Sequence, residues 1–140
     1  MNNLKINHLA ILVCVVIFFG LGFTWYGPLF GSRWMDMLHL DMATVEANAP
    51  GAGVWITNLV GTVAPLYVLA WLFTKLGVTS GLRGAGIALL IVFTFHHLPV
   101  MVTNMFAQQP YGLAWITGGF EMVGMTISGF ILGAWTKLSA

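Results

Sequence analysis

The sequence predicts an all-α integral membrane protein: a four-helix bundle with a short interfacial helix between its first and second spans. Three observations carry this. Hydrophobic residues are 59% of the 140-residue chain and charged residues 6%, against about 25% charged residues in an ordinary soluble domain. Four nearly uncharged apolar stretches fill most of the chain, whose mean hydropathy is +0.90; about 20 apolar residues are enough to cross a bilayer's hydrocarbon as a helix. Gly27-Pro28, Gly77, Gly81 and Pro110-Tyr111-Gly112 punctuate them, because glycine and proline favour turns over continued helix.

The first span is read over residues 9–26, from Leu9 to Tyr26. Met1 to Asn7 with Lys5, followed by an apolar run, superficially resembles a secretory signal. The run is longer than a signal core, however, and ends in Thr24-Trp25-Tyr26-Gly27-Pro28 rather than a small-residue cleavage site, so a retained helix is expected. Cys14 lies inside it and is the single cysteine, which excludes an intrachain disulfide and suits a small buried apolar residue.

The connection from Pro28 to Gly53 is long and carries Asp36, Asp41 and Glu46, three of the four acidic residues. Ser32 is suited to cap a helix from Arg33 to about Val45, whose Trp34, Met35, Leu38, Met42 and Val45 form an apolar side for the membrane interface. Such a helix either lies on the outer surface or covers the bundle as a lid. The remaining spans are read over residues 54–75, 84–106 and 112–136, all within one domain of residues 1–140. No internal repeat links the two halves, so a duplicated transporter unit is unsupported.

Four spans put both termini on one side of the membrane. Lys5, Lys75, Arg83 and Lys137 fall together on that side and Arg33 alone on the other, and the positive-inside rule makes the first set cytoplasmic. Trp25, Tyr26, Trp34, Trp55, Tyr111 and Trp115 form an outer aromatic belt, with Trp71 and Trp135 at the inner boundary. A net charge of +1 from scattered residues offers no polybasic patch for nucleic acid or anionic lipid. The expected partners are membrane lipids, with a homo-oligomer or a larger membrane complex as further options.

Turning each span at 100° per residue sorts polar and small residues onto one face. The fourth span gathers Ala114, Thr117, Gly118, Glu121, Gly124 and Ser128; the third gathers Gly86, Thr94, His97, Met101 and Asn104. Asn58, Gly61, Thr62 and Pro65 share a face of the second, while Ala10, Val13, Gly20 and Thr24 give the first a narrower stripe. These faces should meet, since polar groups inside membranes face protein or a wet cavity. By helical rise His97 and Glu121 lie at matching depth, about 13 to 14 Å below the outer ends of their spans. A carboxylate there costs roughly 2.5 to 3.5 kcal/mol on insertion scales, and a hydrogen bond to His97 offsets part of it.

Such a pair titrates jointly and suits proton relay, cation binding or a polar ligand; it also reads as an interhelical hydrogen bond that fixes register. The candidate site is therefore His97 and Glu121, with Asn58, Asn104, Thr94 and Thr117 around them. His96 points about 100° away from His97, so the two do not chelate one metal, and a zinc or copper site wants three or four convergent ligands. No metal site is expected. No haem is expected either, since His8 and His39 lie near opposite surfaces, and the cofactor, if there is one, is unknown. No nucleophile, metal triad or cofactor fingerprint points to an enzyme. Pro65 and Pro99 free the carbonyls of Gly61 and Phe95, as hinges or as packing features. Gly129-x-x-x-Gly133 suits either an internal helix contact or an oligomer seam.

The segment Gly22-Phe23-Thr24-Trp25-Tyr26-Gly27-Pro28-Leu29-Phe30-Gly31-Ser32-Arg33-Trp34 resembles the signature of a bacterial membrane family, domain of unknown function 1761. Its members are small four-span proteins with a Trp-Tyr-x-Pro-Leu-x-Phe-Gly-x-x-Trp turn after the first helix. Here that turn is one residue shorter between Pro28 and Phe30. The glycine-rich last helix, ending Gly129-x-x-x-Gly133-Ala134-Trp135, extends the likeness. The resemblance implies the four-span fold and a bacterial inner membrane, and implies no activity. From the residues, the leading expectation is a non-enzymatic membrane protein whose outward-facing polar pocket binds a small ligand or lipid, or an accessory subunit of a membrane assembly. A proton- or cation-coupled transporter acting as an oligomer is the alternative.

Overall fold

Asn7 starts the first helix by accepting the Ala10 amide on its side-chain oxygen at 3.2 Å, so that α1 runs His8–Thr24. This computed structural model describes residues 3–138. Past Thr24 the span widens into a π turn, Trp25–Leu29, in which the Phe30 amide donates back to the Trp25 carbonyl at 2.8 Å. Pro28 lies in that turn, and Gly27 takes the non-helical backbone that bends it.

The connection that follows holds two short helices where the sequence suggests one from Arg33 to Val45. Helix α2 covers Gly31–Met37 and α3 covers Met42–Ala47. His39 adopts a left-handed conformation (φ 55°), and the Leu40 amide reaches back to the Met35 carbonyl at 2.9 Å; this is the closure with which helices commonly end. Asp41 then caps α3 by accepting the Thr44 amide at 2.7 Å. Ser32 is inside α2 rather than at its cap.

Helix α4, Ala52–Leu76, passes through Pro65 and ends at Gly77, whose φ of 61° suits glycine. The third long helix comprises α5, Gly81–Val92, a second π turn, Phe93–His97, and α6, Leu98–Phe106. Helix α7, Tyr111–Ala134, completes the set. Four helical stretches, His8–Leu29, Ala52–Leu76, Gly81–Phe106 and Tyr111–Ala134, are long and apolar enough to cross a membrane. Strands β1, Leu4–Lys5, and β2, Lys137–Leu138, pair antiparallel and clasp the two ends of the chain together. We call this end of the bundle, which includes Val78 and Phe73, the terminal end.

Helix α7 is the hub, touching α1, α2, α4, α5 and α6. Its closest seam is with α5. A Cβ on Gly129 would stand 2.5 Å from both the Ala88 Cβ and the Gly84 carbonyl oxygen, and one on Gly133 would stand 2.5 Å from the Ser80 carbonyl oxygen. The Gly129-x-x-x-Gly133 pair therefore faces Gly84 and Ala88 within the chain, the close approach that small residues permit. Phe18 of α1 fills the space over Gly124 in the same way.

The core gathers toward the terminal end: Ala10, Cys14 and Phe18 of α1 meet Leu66, Leu69, Ala70 and Phe73 of α4, Ala88 and Val92 of α5, and Met125 and Leu132 of α7. The inward face of α1 is thus Ala10, Ile11, Cys14 and Phe18, while Gly20 and Thr24 of the expected stripe are exposed. At the opposite end the packing loosens. Every residue of α4 from Ala52 to Gly61 is exposed, so the bundle closes at one end and opens at the other.

Candidate functional site

A cleft of about 430 Å³ occupies the open half, lined by Phe18, Phe19, Gly22, Phe23, Tyr26 and Gly27 of the first span, Trp55, Asn58 and Thr62 of α4, and Phe120 of α7. Its rear wall is an aromatic lattice. Phe120 meets Phe18 edge-on at 5.7 Å and Tyr26 at 5.5 Å between ring centroids, within the 4.5–7 Å of favourable aromatic pairs. Trp25 fixes this lattice by donating its indole N–H to the Ile116 carbonyl at 2.9 Å. Phe23 and Trp55 are 71% and 49% exposed, so the rim is apolar and open to the side.

Of the residues singled out from the sequence, Asn58 and Thr62 line this cleft. The Thr62 hydroxyl donates to the Asn58 carbonyl at 2.9 Å, which leaves it free only to accept. Thr94 and Thr117 are also occupied within their own helices, donating to Leu90 at 2.7 Å and to Leu113 at 3.0 Å. Asn104 is half-buried in α6 and does not line the cleft.

His97 is fully buried at 0% exposure and turned toward α7. Its ring occupies the space above Gly118, where a Cβ would collide with Nδ1. Trp115 lies tilted against it at 4.5 Å and Phe93 stacks at 5.6 Å between centroids. Neither ring nitrogen has a hydrogen-bond partner. The hydrogen bond expected between His97 and Glu121 therefore does not form: the ring faces Gly118 and Trp115 of α7 instead. Buried positions along the third span step from Gly84 to Ala88 to Val92 by fours and then to His97 by five. The extra residue is the π turn, in which the Leu98 amide donates to the Phe93 carbonyl five residues back. Pro99 just beyond has no amide to offer Phe95, and its ring excludes that carbonyl.

The same turn leaves His96 exposed on the neighbouring face. Glu121, one turn of α7 beyond Gly118 and next to Phe120, is half-buried within electrostatic reach of His96 and of the Tyr26 phenol. His96, which sequence periodicity sets aside, is therefore the histidine left exposed beside the turn. The signal for it is Pro99, three residues on, because proline inside a span is a known cause of a widened turn. The aromatic wall has a signal too. Phe19, Phe23 and Tyr26 recur at i, i+4 and i+7 along the first span, and Trp55, Asn58 and Thr62 at i, i+3 and i+7 on α4.

Among the described residues, no three His, Cys, Asp or Glu side chains gather to hold a metal ion. Fold and site together define an all-α protein with four helices compatible with crossing a membrane and an aromatic cleft at one end. The family described as Protein of unknown function (DUF1761) matches residues 9–133, and the chain belongs to it. No curated protein and no solved structure matches significantly.

Proposed function

We propose that this protein binds a lipophilic small molecule or lipid in the cleft between α1, α4 and α7, without transforming it. The observation that carries this reading is the cleft itself. Its volume of about 430 Å³ lies in the range of ordinary small-molecule sites, which are mostly apolar with a few placed polar groups. Asn58 and Tyr26 supply such groups among aromatic walls. With the termini cytoplasmic, the open end lies in the outer half of the bilayer, and the exposed rim of Phe23 and Trp55 admits a ligand sideways from lipid. The protein then acts as a carrier or sensor subunit, alone or within a larger inner-membrane assembly.

Native mass spectrometry of the protein released from membranes tests this. A lipophile retained by the wild type and lost on Thr62→Phe, which fills the cleft from α4, is the expected result. Identical adducts on both proteins would sink the reading. A second reading is favoured by Glu121, a half-buried carboxylate sharing the open half with His96 and Tyr26: proton- or cation-coupled transport by an oligomer. Vesicle flux that is lost on Glu121→Gln supports it, and pH-independent flux in the wild type counts against it.

A further inference from the structure

We propose that the cleft's ligand is a flat-ringed lipophile bearing carbonyl acceptors, of the prenylated quinone class, rather than a saturated acyl chain; the inference rests on the cleft-binding reading above. Binding alone is inferred, with no electron transfer.

Two features of the cleft select this class. The first is the wall. Six of the ten lining residues, Phe18, Phe19, Phe23, Tyr26, Trp55 and Phe120, are aromatic. Aromatic faces gain from an offset or edge-on ring beyond the area they bury, whereas a methylene chain gains only the area. Gly22 and Gly27 keep a slot open among these rings: a Cβ on Gly22 would meet nothing nearer than Phe120 at 3.7 Å, and one on Gly27 would meet nothing within 4 Å.

The second feature is polarity. The Thr62 hydroxyl proton is committed to the Asn58 carbonyl. The donors left to a ligand are the Asn58 amide and the Trp55 indole N–H, both on α4, and the Tyr26 phenol of the first span. A ligand met by donors from two sides is best matched by acceptors on two sides, as in a ring with opposed carbonyls. A fatty acid or phospholipid would set its charged head among mostly apolar rings, at a desolvation cost that no cationic side chain of the lining offsets. A prenyl tail attached to the ring leaves through the open side past Phe23 and Trp55 into lipid.

The test uses the full chain in detergent micelles and two probes: a benzoquinone carrying a decyl chain, and tetradecanol, a chain of similar bulk without a ring. Binding is read by native mass spectrometry, and location by quenching of Trp55 fluorescence, since quinones quench indole emission. The quinone is expected to bind saturably and to quench a component that Trp55→Phe removes. Asn58→Leu should weaken it roughly three- to tenfold, the value of one net hydrogen bond. Both substituted residues are exposed, and unchanged thermal unfolding of the variants checks that the fold is kept. Tetradecanol binding while the quinone does not overturns the ligand class and leaves the cleft reading standing. Failure of both probes overturns both. Quenching that never saturates and is the same in Trp55→Phe reports partition into the micelle, and overturns the class as well.

Discussion

The imidazole of His97 occupies the notch that Gly118 leaves in α7, with Nδ1 where a side chain at position 118 would begin. Shape, not hydrogen bonding, holds it, since both ring nitrogens are buried and unpaired. Two substitutions separate these contributions. Gly118→Ala overpacks the notch and should cost about 1 to 3 kcal/mol. His97→Met keeps much of the volume while removing polar atoms whose unpaired burial costs about 1 to 3 kcal/mol, so it should leave stability unchanged or raise it. Unfolding in mixed micelles measures both, and a large loss in His97→Met would mean that the ring is paired in the membrane.

Gly129 and Gly133 form the seam between α5 and α7 rather than an outward-facing one. Gly129→Leu should therefore destabilise the monomer, by at least the 1 to 3 kcal/mol typical of overpacking, and should leave any association between chains unaltered. Denaturation together with cross-linking yield decides it. Loss of cross-linking with unchanged unfolding would move the seam to an oligomer interface.

The four spans were legible because apolar length and charge scarcity are properties of composition, which no detail of packing overrides. The inward stripe of Ala114, Gly118, Gly124 and Ser128 on α7 was legible as well, since α7 is a regular helix throughout and 100° per residue describes it. The third span was not. Its π turn inserts a residue between Val92 and His97, so a projection of constant angle fixes the inward faces on one side of the turn and misplaces them on the other. The interfacial connection failed for a similar local reason: the left-handed backbone at His39 divides the pattern, and histidine is not a residue from which such a stop is read. The cleft's aromatic wall leaves a trace in the spacing of Phe19, Phe23 and Tyr26, but its opening depends on where α4 leaves the bundle, a long-range property that α4's own pattern does not encode.

Asp41 gives a pH prediction outside the membrane-spanning helices. Its hydrogen bonds from Thr44 hold its carboxyl below the ordinary value, because they favour the charged acceptor. A depressed folded value means that the cap's contribution is fully present above the unfolded value of about 3.9. It fades as pH falls through the lower folded value. The protection of the Thr44 amide against exchange, taken relative to its intrinsic rate, should fall on acidification through that window in the wild type. In Asp41→Asn, which caps without titrating, the protection at that position should lack this acid-induced loss. A wild-type profile matching that of the asparagine variant would remove the charge from the argument.

Glu121 completes the account of the two histidines. Because the π turn commits His97 to the core and leaves His96 exposed on the neighbouring face, the two neighbours should separate in a double-mutant cycle with Glu121. His96→Gln combined with Glu121→Gln should be non-additive by about 0.5 kcal/mol or more, as for groups that share one network. His97→Gln combined with Glu121→Gln should deviate less, since the His97 ring meets Phe93, Trp115 and Gly118 and has no hydrogen-bond partner. Unfolding free energies of the six proteins supply both cycles. Coupling confined to His97 would mean that its ring, and not that of His96, reaches the acid in the bilayer.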